Sequence, residues 1–140
     1  MSNNLILWPV IGLVILTCAV VLLIPLFRMS ALQTGYVSIK AFRYGDDGTP
    51  PNKTRLVNRN YMNLLEIPIL FYLVCICFYI TNTVTELSLT LAWAYLGFRL
   101  AHSMIHILYN NVLHRFQAFV LSNVVLMALW VSFIVELLQQ

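Results

Sequence analysis

Arg59, Asn63 and Glu66 stand at i, i+4 and i+7 in the stretch R-N-Y-M-N-L-L-E-I-P, residues 59 to 68. On a helix turning about 100° per residue, this spacing confines the three side chains to an arc of about 60°. Farther along, Tyr95, Arg99, His102, His106 and Tyr109 fall at i, i+4, i+7, i+11 and i+14. They make a second stripe, on a helix otherwise built of Leu, Ala, Phe and Ile. Arg115 opens the next apolar run. Three Arg against one Glu leave surplus positive charge. Held where water is scarce, that charge favours an anion, and ionisable groups at membrane depth are functional candidates by default.

The elements that position these residues are membrane-spanning helices. The chain has 140 residues, 61% hydrophobic and 9% charged, with a mean hydropathy of +0.84. Soluble domains carry about 25% charged residues, so too little polar surface exists to coat a water-soluble globule. The sequence predicts an all-α membrane protein, a single domain over 1–140. Its four helices are expected at about 5–40, 57–82, 86–110 and 114–138, with a loop at about 43–56. The stretches Leu5 to Phe27, Ile67 to Thr85 and Phe116 to Val135 hold no charge. The third helix alone carries Arg99, His102 and His106 through its length. A cleaved signal peptide is not expected, because the first apolar run is long and lacks a basic leader and a small-residue cleavage site.

Basic residues fix the orientation. Arg28, Lys40, Arg43, Lys53, Arg55 and Arg59 lie between the first two spans, and Arg99 and Arg115 flank the last connection. The opposite side offers Glu86 and Glu136. The positive-inside rule therefore places the first and third loops in the cytoplasm and both termini on the non-cytoplasmic side. On that topology Arg59, Asn63, Glu66, Arg99, His102, His106 and Arg115 gather at one membrane level. A structural alternative pairs Arg59 or Arg99 with Glu66 in an ion pair and lets Arg99 and Arg115 snorkel to headgroups.

Other features carry less. The run G-D-D-G-T-P-P-N-K-T, residues 45 to 54, is dense in turn formers and reads as an exposed excursion. Its Asn52-Lys53-Thr54 sequon is chance on a cytoplasmic loop. Cys18, Cys75 and Cys77 all fall inside spans and read as small apolar filler. No metal site is expected, since His102 and His106 lack the accompanying ligands of a zinc motif.

The order Arg59-x3-Asn63-x2-Glu66 with Pro68 close behind resembles the second-helix signature of the MAPEG family, the membrane-associated proteins of eicosanoid and glutathione metabolism. Arg99-x2-His102-x3-His106 is similar to the family's third-helix Arg-x2-(His/Tyr)-x3-Tyr. Arg115, nine residues after His106, stands where the prostaglandin E synthase branch has its fourth-helix Arg. K-A-F-R, residues 40 to 43, is similar to the basic end of the family's first helix. The resemblance implies a homotrimer of four-helix protomers with glutathione held between protomers near the cytoplasmic face. It implies that Arg59, Asn63, Glu66, His102 and His106 contact glutathione, with Arg99 and Tyr109 joining the binding set, and that Arg115 faces the thiol. The departures are His106 in place of Tyr and Phe116 in place of a hydroxyl residue. For the first-helix Arg, Tyr36, Lys40 and Arg43 all compete.

The expected function is a membrane-embedded, glutathione-dependent transferase or peroxidase-like enzyme with Arg115 as the catalytic residue. Its partners are glutathione as cosubstrate and a hydrophobic small molecule or lipid, with no nucleic acid. The alternative is a non-catalytic member of the same fold serving as a binding or assembly subunit. A small four-span exporter fits poorly, because its usual first-span carboxylate is missing here. The expected location is a bacterial cytoplasmic (inner) membrane.

Overall fold

The computed structural model describes residues 2–35, 37–42 and 52–139, and these are helical almost throughout. A 3-10 turn, Asn3–Ile6, leads into α1, Leu7–Gln33. A second 3-10 turn covers Ile39–Phe42, and α2 (Asn52–Leu65), α3 (Pro68–Thr81), α4 (Glu86–Leu108) and α5 (Val112–Leu138) follow. Tyr36 and Arg43 lie outside the described residues. So does the expected loop tip up to residue 51, while 52–54 already belong to α2.

Local chemistry sets the helix ends. The first helix was expected to reach about residue 40 and ends at Gln33. Gly35 there takes φ +67, and the Thr34 and Gly35 amides donate to the carbonyls of Ser30 and Leu32. A left-handed Gly just past the last turn is a common helix stop. α2 begins at Asn52 rather than near 57, with Thr54 and Val57 on its buried face. The second span is then interrupted at Glu66 and Ile67, because Pro68 has no N–H to donate and its ring opposes a continuous helix. Pro68 instead occupies the first turn of α3, where its missing donor costs nothing.

α4 starts with a reciprocal cap. The Thr85 hydroxyl accepts from the Ser88 amide at 3.2 Å, and the Ser88 hydroxyl accepts from the Thr85 amide at 2.9 Å. The helix ends at a tight turn in which Asn110 adopts φ +48 and its amide donates to the Ile105 carbonyl at 2.7 Å. Asn111 immediately caps α5, its Oδ1 accepting from the Leu113 and His114 amides at 3.0 and 3.2 Å.

Among the described residues, three helical stretches, Asn3–Gln33, Asn52–Thr81 and Val112–Leu138, are long and apolar enough to cross a membrane. α4 has 23 residues, about 34 Å of helix, which also exceeds a hydrocarbon core of about 30 Å. Its lower hydropathy comes from polar residues turned inward: Ser88, Arg99, His102, Ser103 and His106 are all buried. Leu87, Trp93, Leu100, Met104 and Leu108 point outward from the same helix. The remaining surface matches, with Trp8, Ile15, Leu22 and Leu26 exposed on α1 and Leu73, Ile76 and Ile80 on α3. Apolar outside and polar within is the arrangement a bilayer selects.

The apolar core lies toward the α4 N-terminal half. Phe71 stacks on Tyr95 with ring centroids 4.4 Å apart, and Phe78 meets Phe133 edge-on at 5.1 Å. Leu13, Leu96 and Leu129 fill in around them. α1 approaches α4 closely at Gly12, where a Cβ would lie 2.6 Å from a Leu96 methyl. Cys75 is buried in this core, Cys77 is half-buried and Cys18 is exposed, all as free thiols. This rigid end anchors α4 and leaves its other half to carry the polar stripe.

Candidate functional site

Arg115 sits at the entrance of α5, placed by the Asn111 cap and by its own amide donating to the Asn111 carbonyl at 3.0 Å. Its guanidinium is held from the preceding turn, Nη1 donating to Asn110 Oδ1 at 2.6 Å. Charge-assisted bonds of this kind are short and stronger than neutral ones. The left-handed conformation of Asn110 accompanies this bond, which brings its side chain back over the α5 entrance. Asn tolerates that conformation better than most residues.

His102, 3% exposed, reaches Arg115 from α4. Its Nδ1 lies 3.0 Å from the Arg115 carbonyl oxygen. A carbonyl only accepts, so Nδ1 carries the proton, and in the neutral ring Nε2 holds the lone pair. Nε2 is buried without a hydrogen-bond partner among the described residues. The ring sits 5.8 Å from the rings of both His106 and Phe119. A cavity of about 200 Å³ opens beside these groups, lined by Asn63, His102, Val112, Arg115, Phe116 and Phe119. Three helices thus each send one polar residue to one space, and Phe116 and Phe119 form its apolar wall.

Arg99 lies behind that wall. It is 0% exposed, its Nε donates to the Tyr95 hydroxyl at 3.1 Å, and its Nη1 and Nη2 have no hydrogen-bond partner among the described residues. The guanidinium carbon sits 5.4 Å from the Tyr95 ring and 5.5 Å from the Phe119 ring. The spacing that put Arg99 on the stripe gave no sign of this enclosure. His106, 1% exposed, has an unpartnered Nδ1, and Arg115, His102 and Arg59 lie within electrostatic reach of it.

The other expected residues spread outward. Arg59 is exposed and borders a neighbouring cavity of about 200 Å³ with Asn52, Arg55, Leu56 and Asn110. Asn110 thus belongs to the wall of one cavity while bonding to Arg115, a residue of the other. Glu66 is exposed at the α2–α3 bend. Tyr109 is exposed, its hydroxyl 3.1 Å from His114 Nδ1, and it is not among the residues lining the cavity of His102 and Arg115. The structure therefore brings Asn63, His102 and Arg115 together, keeps His106 within electrostatic reach of Arg115 and Arg59, and sets Glu66 and Tyr109 apart.

Sequence reasoning missed several contributors. Asn60 is fully buried and donates to the Ser103 hydroxyl at 2.6 Å, fastening α2 to α4 one turn from the cavity. Ser103 lies four residues after Arg99, which is the signal that could have found it. Asn110 and Asn111 were visible as a pair of cap and turn formers between two helices.

The sequence profile of the MAPEG family matches residues 6–135, nearly the whole chain and all the elements of the site. No curated protein and no solved structure matches the chain.

Proposed function

The chain belongs to the MAPEG family, which includes glutathione transferases and related proteins, and from that premise we propose that it is a membrane-embedded glutathione-dependent enzyme. It activates the glutathione thiol against a hydrophobic electrophile or lipid hydroperoxide. The observation that carries this reading is the convergence of Asn63, His102 and Arg115 on one cavity that Phe116 and Phe119 also line.

The chemistry follows from those groups. A free thiol has a pKa of about 8.5, and a guanidinium within reach lowers an anionic group's pKa by about 1–3 units. The thiolate, not the thiol, is the nucleophile. Arg suits a half-buried site because it stays charged there, where Lys deprotonates more readily. Arg115 spends one N–H on Asn110, and the residue lines the cavity. Phe116 and Phe119 offer an apolar surface to a substrate that enters laterally from the bilayer.

Arg59 and Glu66 are exposed on the protomer at the level of the site. In the proposed homotrimer a neighbouring subunit covers them and closes the glutathione site from the side. The basic ends of the helices face the cytoplasm, both termini face away, all four spans cross the membrane, and the membrane is the bacterial inner one.

Glutathione is expected to raise the unfolding temperature of the purified protein, and an ultraviolet thiolate band is expected at neutral pH. Absence of both would sink the reading. Protection without a thiolate band or turnover would instead identify a binding or assembly subunit.

Asn110 gives a sharper check. Asn110→Gly keeps the left-handed turn and removes the side chain that holds Arg115. The expected result is a nearly unchanged unfolding temperature with turnover lowered about tenfold, the scale of one lost charge-assisted bond. Turnover equal to the parent protein would show that Arg115 needs no such hold.

A further inference from the structure

Building on that chemistry, we infer that His102 is itself a catalytic residue: its Nε2 takes the thiol proton and later returns it to the product. The carbonyl of Arg115 fixes the proton on Nδ1, so the other ring nitrogen, Nε2, is an acceptor. A buried acceptor without a partner needs a donor. A neutral imidazole presenting its lone pair does not bind a carboxylate, so the guest atom it meets must carry hydrogen. Of a thiol peptide's donors, the thiol is the one whose conjugate anion the Arg115 cation favours, and His102 and Arg115 line the same cavity.

The step balances within the cavity. The S–H bond breaks, an N–H bond forms at Nε2, and sulfur keeps the electron pair as a thiolate beside Arg115. Imidazolium and thiolate appear together, so the net charge of the cavity does not change. With a conjugated carbonyl compound as electrophile, the sulfur pair forms a bond to the β-carbon. The π electrons shift toward the carbonyl, and the α-carbon takes the proton from Nε2, which resets the neutral ring. Charged and titratable groups facing His102 are Arg99 and His106 on α4 and Arg115 on α5, with Arg59 of α2 reaching His106.

One measurement on the unaltered protein decides most of this. Glutathione is mixed with the protein at neutral pH in weak buffer, following the thiolate band and a pH indicator together. An internal acceptor predicts a thiolate band with far less than one proton released per thiolate. Release of one proton per thiolate overturns the assignment while leaving the glutathione reading intact. Absence of any glutathione binding overturns both.

The second arm uses His102→Asn, whose amide can still donate to the Arg115 carbonyl but has no basic nitrogen. Thiolate formation is expected to slow about 100-fold, within the usual range for a lost general base, and to release one proton per site. Thiolate formation at the parent rate, with no proton released, would show that the acceptor lies elsewhere.

Discussion

Arg115→Ala is expected to lower kcat/KM for glutathione conjugation by about 10²–10³, the scale seen when one preorganised donor is removed from a developing anion. The loss should fall on kcat and on the thiolate band, with glutathione affinity weakened much less. That split is expected because only Arg115 among the polar groups of the cavity is a permanent cation, while the ligand has other handles outside it. The backbone of position 115 is held by the Asn111 cap, and its carbonyl accepts from His102. Neither contact involves the guanidinium, so the substitution removes the charge and leaves the frame standing. Arg115→Lys is the informative companion. It restores a positive charge without the planar fork, so it should recover about tenfold of the loss and no more. Stopped-flow thiolate absorbance with glutathione and a conjugated carbonyl substrate reads both effects. Turnover that survives Arg115→Ala would remove this residue from the chemistry altogether.

The two helical stripes show how far spacing alone can reach. Periodicity placed Asn63, His102, His106 and Arg115 near one another because side chains seven residues apart share a helix face, and because the charge pattern set the three helices at one depth. Spacing says which residues share a face but not what the face meets. Arg99 and His102 share a stripe, yet α5 covers Arg99 with Phe119 and leaves His102 beside the cavity. Glu66 shares the Arg59 face, yet Pro68 bends the chain just beyond it. Asn110 illustrates the other limit. Its contribution comes from a single left-handed backbone conformation at the α4–α5 turn, and such a conformation leaves no periodic trace. The end of α1 was hidden for the same reason, since it depends on Gly35 and not on any change in apolar pattern.

Enclosure of Arg99 leads to the second large effect, in which stability and binding move in opposite directions. The guanidinium is cut off from water, carries one hydrogen bond and two ring contacts, and has no hydrogen-bond partner on its Nη atoms among the described residues. Ring contacts of a desolvated cation contribute about 2 kcal/mol, which is less than the several kcal/mol that desolvation of an ion costs. Arg99→Met fills similar space with an apolar, adaptable side chain. It is expected to raise the unfolding temperature in detergent, in line with the gain of about 1–4 kcal/mol found when buried charges give way to hydrophobic residues. Arg99→Ala leaves a void instead and should lose that gain. Retaining a costly cation makes sense if its field serves the cavity on the far side of Phe119. Through an effective dielectric constant of about 20, a unit charge one side chain away favours an anion by about 2 kcal/mol. Glutathione affinity should therefore fall about 30-fold in Arg99→Met. Calorimetric titration beside a melting curve tests both halves. A variant that melts earlier and binds glutathione as well as the parent would mean that Arg99 holds the helices together and contributes nothing to the anion.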